Sequence, residues 1–180
     1  MSTAKYVLLD RDGVINQDSG DFIKSADEWL PIKGSLEAIA LLNQHGYQVV
    51  VITNQSGVGR GHYSDATLTE IHLKMIHMVE ALGGKIKHIY YCPHLPDADC
   101  KCRKPKPGML EQFGKDAQVD LTDIYFIGDS LRDIEAGIAA GAKPLLVKTG
   151  NGTKTLAANP DLNIPIFENL YDAAEYILSR

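Results

Sequence analysis

Short apolar runs alternate with stretches of helical periodicity along this chain, and this alternation strongly constrains the fold. The segment Gln48–Thr53 has a continuous β-branched centre, which is typical of a strand covered on both faces. We predict strands at Tyr6–Asp10, Gln48–Thr53, Ile86–Tyr91, Ile124–Gly128 and Pro144–Val147. We predict helices at Gly34–Gln44, from the cap residue Ser64 to about Leu82, and at Met109–Ala117, Leu131–Ala140 and Asn169–Leu178. The alternation indicates an α/β fold whose parallel sheet has helices on both faces.

Length and charge limit the organisation of the chain and its partners. The 180 residues suffice for one core, so we expect a single domain over residues 1–180. A net charge of -5 argues against a nucleic-acid partner. No apolar leader precedes the first strand and no stretch approaches transmembrane length, so we expect a cytoplasmic protein without a membrane partner.

The first predicted strand ends in two carboxylates, at Asp10 and Asp12, followed by Gly13. Unpaired carboxylates are costly in an apolar setting. A pair of them at a strand end suggests a metal site, a nucleophile, or both, while the alternative is a polar turn that closes the strand. Gly13 permits a sharp turn after the strand.

Other polar segments also follow predicted strands. Residues 53–57 follow the second strand, and Asp129 follows the fourth with Asp133 one turn further along. The segment 103–108 precedes a predicted helix and contains Lys104. In parallel α/β sheets, ligands bind beyond the carboxyl ends of the strands. These residues are therefore expected to meet at one edge of the sheet.

The order of these segments resembles that in the haloacid-dehalogenase-like phosphohydrolases. The matching motifs are Asp10-x-Asp12-Gly13, then Thr53, then Lys104, then Gly128-Asp129-x-x-x-Asp133. The resemblance implies a Rossmann-like sheet and catalysis by an aspartate nucleophile. It also implies a small-molecule phosphate ester as the substrate.

The resemblance further assigns a role to each motif residue. Asp10 is the expected nucleophile, and Mg²⁺ is expected on Asp10, Asp129 and the backbone carbonyl of Asp12. The side chain of Asp12 is expected to protonate the leaving group and then to deprotonate water. Thr53 is expected to hold phosphate oxygens and Lys104 to add positive charge.

Asp133 has a different expected role within this set of acidic residues. It is predicted to orient Lys104 or a metal-bound water rather than to bind the metal directly. Ser130 departs from the pattern of some relatives, which have a lysine directly after the aspartate of the fourth motif.

All three cysteines fall within one short window, in the loop 92–102. The predicted zinc ligands are Cys92, His94, Cys100 and Cys102. A Cys₃His set suits a closed tetrahedral Zn²⁺ site, which is structural because it leaves no open position. The alternatives are a disulfide, which a cytoplasmic location disfavours, and buried apolar cysteines, which the polar flanking residues disfavour. The loop leads into the segment 103–104, so its expected function is to position that segment.

The zinc segment resembles two branches of the family, the heptose 1,7-bisphosphate 7-phosphatases and the histidinol-phosphatases. The segment 54–61 and Lys104-Pro105-Lys106-Pro107-Gly108-Met109 favour the heptose branch, so a sugar phosphate from nucleotide-activated heptose synthesis is the expected substrate. Arg60 and Arg103 are expected to bind the phosphate that is not cleaved. The alternative for Arg60 is a solvated loop charge.

The spacing of the motifs predicts that there is no large cap domain. Specificity is then expected to come from the loops Gln17–Trp29, Val58–Tyr63 and His94–Lys101. By analogy with the heptose branch, the expected substrate-binding residues besides the two arginines are Asp18, Ser19, Gly20, Asp21, Asn54, Gln55 and Ser56. A small phosphatase without a cap is expected to be monomeric.

A receiver-type phosphate-accepting module is a remoter alternative, since such modules also use Mg²⁺ and an aspartyl-phosphate. In that class the acceptor aspartate ends the third strand, but here the third strand ends at Tyr91-Cys92. Steady phosphate release would distinguish a phosphatase from such a module.

Overall fold

The computed structural model describes residues 3–180, and its backbone alternates strands with helices. The strands are β1 (Lys5–Leu9), β2 (Tyr47–Asn54), β3 (Ile86–Cys92), β4 (Tyr125–Gly128), β5 (Lys143–Val147) and β6 (Ile166–Phe167). The helices are α1 (Ser35–Gln44), α2 (Ser56–Gly59), α3 (Asp65–Ala81), α4 (Gly108–Ala117), α5 (Leu131–Ala140), α6 (Gly152–Ala158) and α7 (Leu170–Leu178). A 3₁₀ turn spans Leu121–Asp123.

The six strands form one sheet in the order β3-β2-β1-β4-β5-β6, and every pair is parallel. Strand β1 lies in the middle, with β2 on one side and β4 on the other. The chain therefore changes direction across the sheet at β1, which is the position where ligands bind in open α/β sheets.

Alternate residues of β1, β2 and β4 pack into two hydrophobic clusters on opposite faces of the sheet. In β1, Val7 and Leu9 join the cluster that contains residues of α1, α3 and α7. Leu8 joins the cluster that contains residues of α4 and α5. This two-residue period explains why the buried strands are apolar throughout, and it confirms a sheet with helices on both faces.

Three short elements were not predicted from the sequence. Strand β6 has only two residues and α2 is a single turn, so neither contains a full hydrophobic period. Helix α6 has seven residues, and no side-chain hydrogen bond caps its start at Asn151. Among the helices of residues 3–180, none is both long and apolar enough to cross a membrane.

Candidate active site

Three carboxylates and one ammonium meet at the carboxyl edge of the sheet. Asp10 directly follows β1, Asp129 follows β4, and Asp133 lies in the first turn of α5. One oxygen from each carboxylate lies within 4.8 Å of the others. The Nζ of Lys104 lies 3.0 Å from Oδ1 of Asp10 and 2.6 Å from Oδ1 of Asp133. It also donates a 2.9 Å hydrogen bond to the carbonyl of Ile52.

Burial and neighbouring charges give the three carboxyl groups different pKa values. Burial, together with the charge of Asp133, raises the pKa of Asp10 well above its usual range. Burial, with Asp133 again the next cause, raises the pKa of Asp129 to about 7. Burial also acts to raise the pKa of Asp133, but the charge and hydrogen bond of Lys104, together with hydrogen bonds from Ser130 and Asp10, outweigh burial and lower the pKa of that carboxyl.

The surroundings of Asp129 fit a small divalent cation. A Cβ at Gly13 or Gly150 would overlap the Asp129 carboxylate, so only glycine lets the backbone pass this closely. The backbone N–H of Asn151 donates to Oδ2 of Asp129 at 2.8 Å and fixes its orientation. Lys104 balances only part of the negative charge of three buried carboxylates, and Mg²⁺ prefers such oxygen ligands.

A cavity of about 450 Å³ opens over these groups. It is lined by the predicted residues Asp10, Asp12, Asp18, Gly20, Asn54, Gln55, Ser56, Arg60, Arg103, Lys104, Asp129 and Asp133, and also by Phe22, Pro96, Ser130, Arg132 and Asn151. Nearly all the polar groups that the sequence placed at one sheet edge thus share a single opening.

Three predicted site residues do not line this cavity. Thr53 is almost fully buried, and its hydroxyl accepts a 3.0 Å hydrogen bond from Nε2 of Gln55. Ser19 donates to the carbonyl of Phe22 at 2.8 Å, and Asp21 faces Lys24. Ser19 and Asp21 therefore shape the turn that presents their neighbours in the loop Gln17–Trp29.

Asn54 was predicted to bind substrate, but both ends of its amide contact the backbone of Lys104. Its Nδ2 donates to the Lys104 carbonyl at 3.1 Å, and its Oδ1 accepts from the Lys104 N–H at 3.0 Å. This pair of bonds joins the end of β2 to the segment that carries the lysine.

Three guanidinium groups lie along the rim of the cavity, on Arg60, Arg103 and Arg132. Burial, followed by the positive charge of Arg132 and then that of Arg60, lowers the pKa of Arg103, so both neighbouring charges disfavour the charged form of Arg103. Arg60 also stacks over the ring of Phe22, at 5.8 Å from its centroid. The sequence reasoning missed Arg132, although it lies beside Asp133 of the fourth motif.

The four predicted zinc ligands form a compact cluster at the end of β3. The Nδ1 of His94 lies 3.3 Å from Sγ of Cys92 and 3.2 Å from Sγ of Cys102. Cys92 Sγ lies 3.1 Å from Cys102 Sγ and 3.9 Å from Cys100 Sγ. Sulfurs at 2.3 Å from a tetrahedral zinc ion would be about 3.8 Å apart, so the cluster needs little adjustment to hold one. The cysteines are free thiols, and the donor set suits structural zinc.

Relatives of known identity show the same combination of features. A family model described as HAD-hydrolase-like matches residues 101–173. The D-glycero-beta-D-manno-heptose-1,7-bisphosphate 7-phosphatase of Neisseria meningitidis serogroup A is 48% identical over 180 residues, which cover 98% of this chain and 96% of that protein. The chain belongs to this phosphatase family, within the haloacid-dehalogenase-like hydrolases. The enzyme of the same name from Pseudomonas aeruginosa is 51% identical over 172 residues, covering 96% and 97% of the two chains.

Solved structures of heptose bisphosphate phosphatases have the same fold. The D,D-heptose 1,7-bisphosphate phosphatase of B. bronchiseptica, complexed with magnesium and phosphate, superposes with a TM-score of 0.95 at 48% identity, covering 97% of this chain and 98% of that one. The enzyme from Burkholderia thailandensis gives 0.78 at 42% identity, covering 98% and 99%. The family resemblance found in the motifs is thereby confirmed, and the receiver-type alternative is set aside.

Around Asp12, this phosphatase has buried residues to which the sequence reasoning gave no role. Arg11, between the two aspartates of the first motif, is completely buried. His72 is also buried and contacts Arg11 at 3.1 Å. Tyr63 donates to Gln55 at 2.7 Å. The contact of Arg11 with His72 joins residues 61 positions apart, so no local sequence pattern reveals it.

Proposed function

We propose that the protein is a Mg²⁺-dependent phosphatase that removes the 7-phosphate of D-glycero-D-manno-heptose 1,7-bisphosphate in nucleotide-activated heptose synthesis, for lipopolysaccharide core or related glycans. The observation that carries the proposal is one cavity lined both by a buried carboxylate–ammonium pair and by three guanidinium groups. Buried Asp10 and Lys104 lie at its floor, and three guanidiniums lie on its rim. The names of the relatives support the same substrate.

At the floor of the cavity, Asp10 attacks the phosphorus in line and forms an aspartyl-phosphate. Lys104, fixed between Asp10 and Asp133, offsets the negative charge that accumulates on the phosphoryl oxygens. Mg²⁺, when held by Asp10, Asp129 and the backbone carbonyl of Asp12, supplies positive charge that reduces the repulsion between carboxylate and phosphate.

The leaving group is a sugar alkoxide, which departs readily only if it gains a proton. Asp12 supplies this proton, and its carboxylate then removes one from the water that hydrolyses the aspartyl-phosphate. Its side chain is about a quarter exposed and lines the cavity, so it can reach both the sugar oxygen and water. The Thr53 hydroxyl accepts a hydrogen bond from Gln55, the residue that also donates to Asp12, and so helps to orient the Gln55 amide.

Asp133 is a positioning residue in this proposal. Its Oδ1 accepts from Lys104, while its Oδ2 accepts from the backbone N–H groups of Asp129 and Ser130 at 3.2 Å each. The Ser130 hydroxyl also donates to Oδ2 at 2.9 Å. One carboxylate thus connects the lysine, the magnesium ligand Asp129 and the start of α5.

At the rim, Arg60, Arg103 and Arg132 bind the 1-phosphate that is not cleaved. Guanidinium groups donate paired hydrogen bonds to phosphate, and a dianion relieves the repulsion among three such groups. Asp18, Gly20 and Ser56 line the same cavity. In this proposal Asp18 and Gly20 contact sugar hydroxyls, and Ser56 contacts phosphate oxygens. Asn151 donates to Asp18 at 2.9 Å and so links this loop to the Asp129 region.

We also propose that the protein acts as a cytoplasmic monomer and folds as one domain. Residues of a single chain supply every group used above, and the sugar phosphate reaches the site through an open cavity. Light scattering on the purified protein tests the monomer: a mass near 19.7 kDa is expected, and twice that mass would contradict it.

The test of the proposed reaction is ³¹P NMR of heptose 1,7-bisphosphate incubated with the protein, with and without Mg²⁺. We expect loss of the 7-phosphate signal only with Mg²⁺, while the 1-phosphate signal persists and inorganic phosphate appears in equal amount. Loss of the 1-phosphate, or turnover independent of Mg²⁺, would contradict the proposal.

A further inference from the structure

We propose that Arg11, supported by His72, is a positioning residue that fixes the Asp12 carboxylate for proton transfer, while Gln55 and Tyr63 fix it from the other side. The inference rests on the role proposed above for Asp12. It gives a task to buried polar residues that neither touch phosphate nor belong to the metal site.

Arg11 holds one oxygen of Asp12 with two hydrogen bonds. Its Nε and Nη2 donate to Oδ1 of Asp12 at 3.0 and 2.7 Å, and Nδ2 of Asn16 donates to the same oxygen at 2.9 Å. The Arg11 side chain has no exposed surface, so water does not compete for these donors. Rotation of the Asp12 side chain would break all three bonds, and the carboxylate is therefore held in one orientation.

His72 fixes Arg11 in turn. Nη1 of Arg11 lies 3.1 Å from Nε2 of His72. A guanidinium has no acceptor, so Nε2 must accept this hydrogen bond and the ring proton must lie on Nδ1. His72 lies on α3, which begins more than fifty residues after the first motif. The orientation of Arg11 is therefore determined by a separate element of the fold.

The second oxygen of Asp12 has a single donor, and that donor is itself fixed. Nε2 of Gln55 donates to Oδ2 of Asp12 at 3.1 Å. The Tyr63 hydroxyl donates to Oε1 of Gln55 at 2.7 Å, which determines the end of the amide that faces Asp12. Because Oδ1 accepts three N–H groups and Oδ2 only one, Oδ2 has the free lone pairs and is the oxygen that exchanges the proton.

A role in positioning Asp12 differs from a structural role in its dependence on the leaving group. A sugar alkoxide needs a proton from Asp12, whereas p-nitrophenolate leaves without one. General acid catalysis contributes about 10²- to 10⁴-fold. A variant that misplaces Asp12 should therefore slow the phosphorylation step with the sugar phosphate and leave the burst of p-nitrophenol unchanged.

The experiment compares His72→Leu, which removes the acceptor, with His72→Gln, which can supply another. His77→Leu is the matched control, because His77 lies on the same helix but is exposed. Tyr63→Phe tests the contacts of Gln55 and Tyr63 that fix the second oxygen of Asp12. Tyr90→Phe is its control, because the hydrogen-bond partner of the Tyr90 hydroxyl is Asp116. Single-turnover rates with heptose 1,7-bisphosphate are measured beside the p-nitrophenol burst from p-nitrophenyl phosphate.

We expect His72→Leu and Tyr63→Phe to slow sugar phosphate cleavage by about tenfold or more, with KM nearly unchanged and the burst retained. His72→Gln should recover most of the loss, and both controls should match the wild type. If His72→Leu does not fold, Arg11→Lys replaces it, since lysine keeps the buried charge and loses the two parallel donors.

Equal losses with both substrates, or no loss with either, would overturn the inference. If wild-type protein does not cleave heptose 1,7-bisphosphate, the proposed function fails instead. Fructose 1,6-bisphosphate, which has a similar leaving group, then replaces the heptose substrate. Its single-turnover cleavage rate is compared with the p-nitrophenol burst for each variant, so the two failures stay distinguishable.

Discussion

At the scale of single residues, the aspartates of the site lie in different environments, which shift their pKa values in opposite directions. The pKa of Asp10 is raised by burial first and by Asp133 second, whereas the pKa of Asp133 is lowered because Lys104 and the hydrogen bonds from Ser130 and Asp10 together outweigh burial. Asp133 therefore stays ionised and forms the ion pair with Lys104. The Lys104 Nζ lies farther from Asp10, at 3.0 Å, than from Asp133, at 2.6 Å, which agrees with the proposal that Asp10 gives up this contact to attack phosphorus.

Asp10→Asn should abolish turnover, because an amide is a poor nucleophile and a poor magnesium ligand. We expect phosphate release to fall by at least about 1,000-fold. Phosphate release is measured at saturating Mg²⁺, with Asp123→Asn as the control because Asp123 is exposed and does not line the cavity. A variant that keeps more than a few per cent of wild-type activity would contradict the nucleophile assignment.

Arg132→Gln should weaken binding of the uncleaved phosphate while leaving the reacting groups intact. A hydrogen bond to a charged group contributes about 1.5–3 kcal/mol, so we expect KM for the bisphosphate to rise by about tenfold or more. KM for a sugar monophosphate should change little. Steady-state kinetics with both substrates measure this, with Arg180→Gln as control, and equal changes in both KM values would argue against the rim site.

His72 should give the protein an acid-sensitive stability. Burial, followed by the charge of Arg11, lowers the pKa of His72 to about 3, so the folded state keeps the ring neutral while the unfolded state binds a proton below about pH 6.5. Stability is therefore unaffected above that pH and falls as the pH drops towards 3.

His72→Gln should remove this dependence, with His77→Gln as the control. The free energy of unfolding of the wild type should fall by about 2 kcal/mol more than that of His72→Gln between pH 6.5 and 5. Urea unfolding at several pH values measures the difference. Parallel curves for the wild type and His72→Gln would show that the folded histidine takes up the proton.

The sequence identified some residues of the site and missed others for a physical reason. The aspartates, Lys104 and the zinc ligands occur in motifs with fixed spacing, so their proximity follows from the order of the strands. Arg11 and His72 are 61 positions apart, and their contact depends on how α3 packs. Thr53 and Asn54 lie at the predicted edge of the sheet, but their hydrogen bonds to Gln55 and to the backbone of Lys104 depend on tertiary contacts that the motifs do not contain.

At the scale of elements, the loop between β3 and Lys104 connects the metal cluster to the catalytic floor. Its first ligand, Cys92, is the last residue of β3, and its last, Cys102, lies two residues before Lys104. The carbonyl of Pro93 accepts a 3.0 Å hydrogen bond from the N–H of Gly59. The loop therefore also supports α2 and the segment that carries Arg60.

Removing zinc should loosen this loop without removing a reacting group. We expect Cys100→Ser, or chelation of zinc, to lower the melting temperature and kcat together, and restored zinc to recover the activity of chelated protein. Metal content, thermal unfolding and phosphate release are measured on the same preparation. Full activity in folded, zinc-free protein would contradict the positioning role.

The elements themselves were predicted well where they contained a full hydrophobic period. All five predicted strands and all five predicted helices occur, with small shifts at their ends. Helix α5 was predicted at its observed bounds, Leu131–Ala140, because Ser130 caps its start and Gly141 ends it in a left-handed conformation. The short elements β6, α2 and α6 depend on tertiary contacts, which a local pattern does not contain.

At the scale of the whole molecule, the parallel sheet brings the motifs together. Strand β1 lies between β2 and β4, so residues 10, 53 and 129 emerge beside one another although they are far apart in sequence. The alternation of strands and helices was enough to predict this edge. The rim of three arginines was predicted only in part, because Arg132 falls between the motif residues Asp129 and Asp133 and so matched no motif position.

The most direct test of the proposed function is a comparison of kcat/KM for heptose 1,7-bisphosphate and histidinol phosphate, measured side by side with Mg²⁺. The floor of the cavity would accept either phosphate ester, but only the bisphosphate offers a second phosphate to the arginine rim. We predict a preference for the bisphosphate of about 100-fold or more, since several charged hydrogen bonds distinguish the substrates. Equal values, or a preference for histidinol phosphate, would contradict the account.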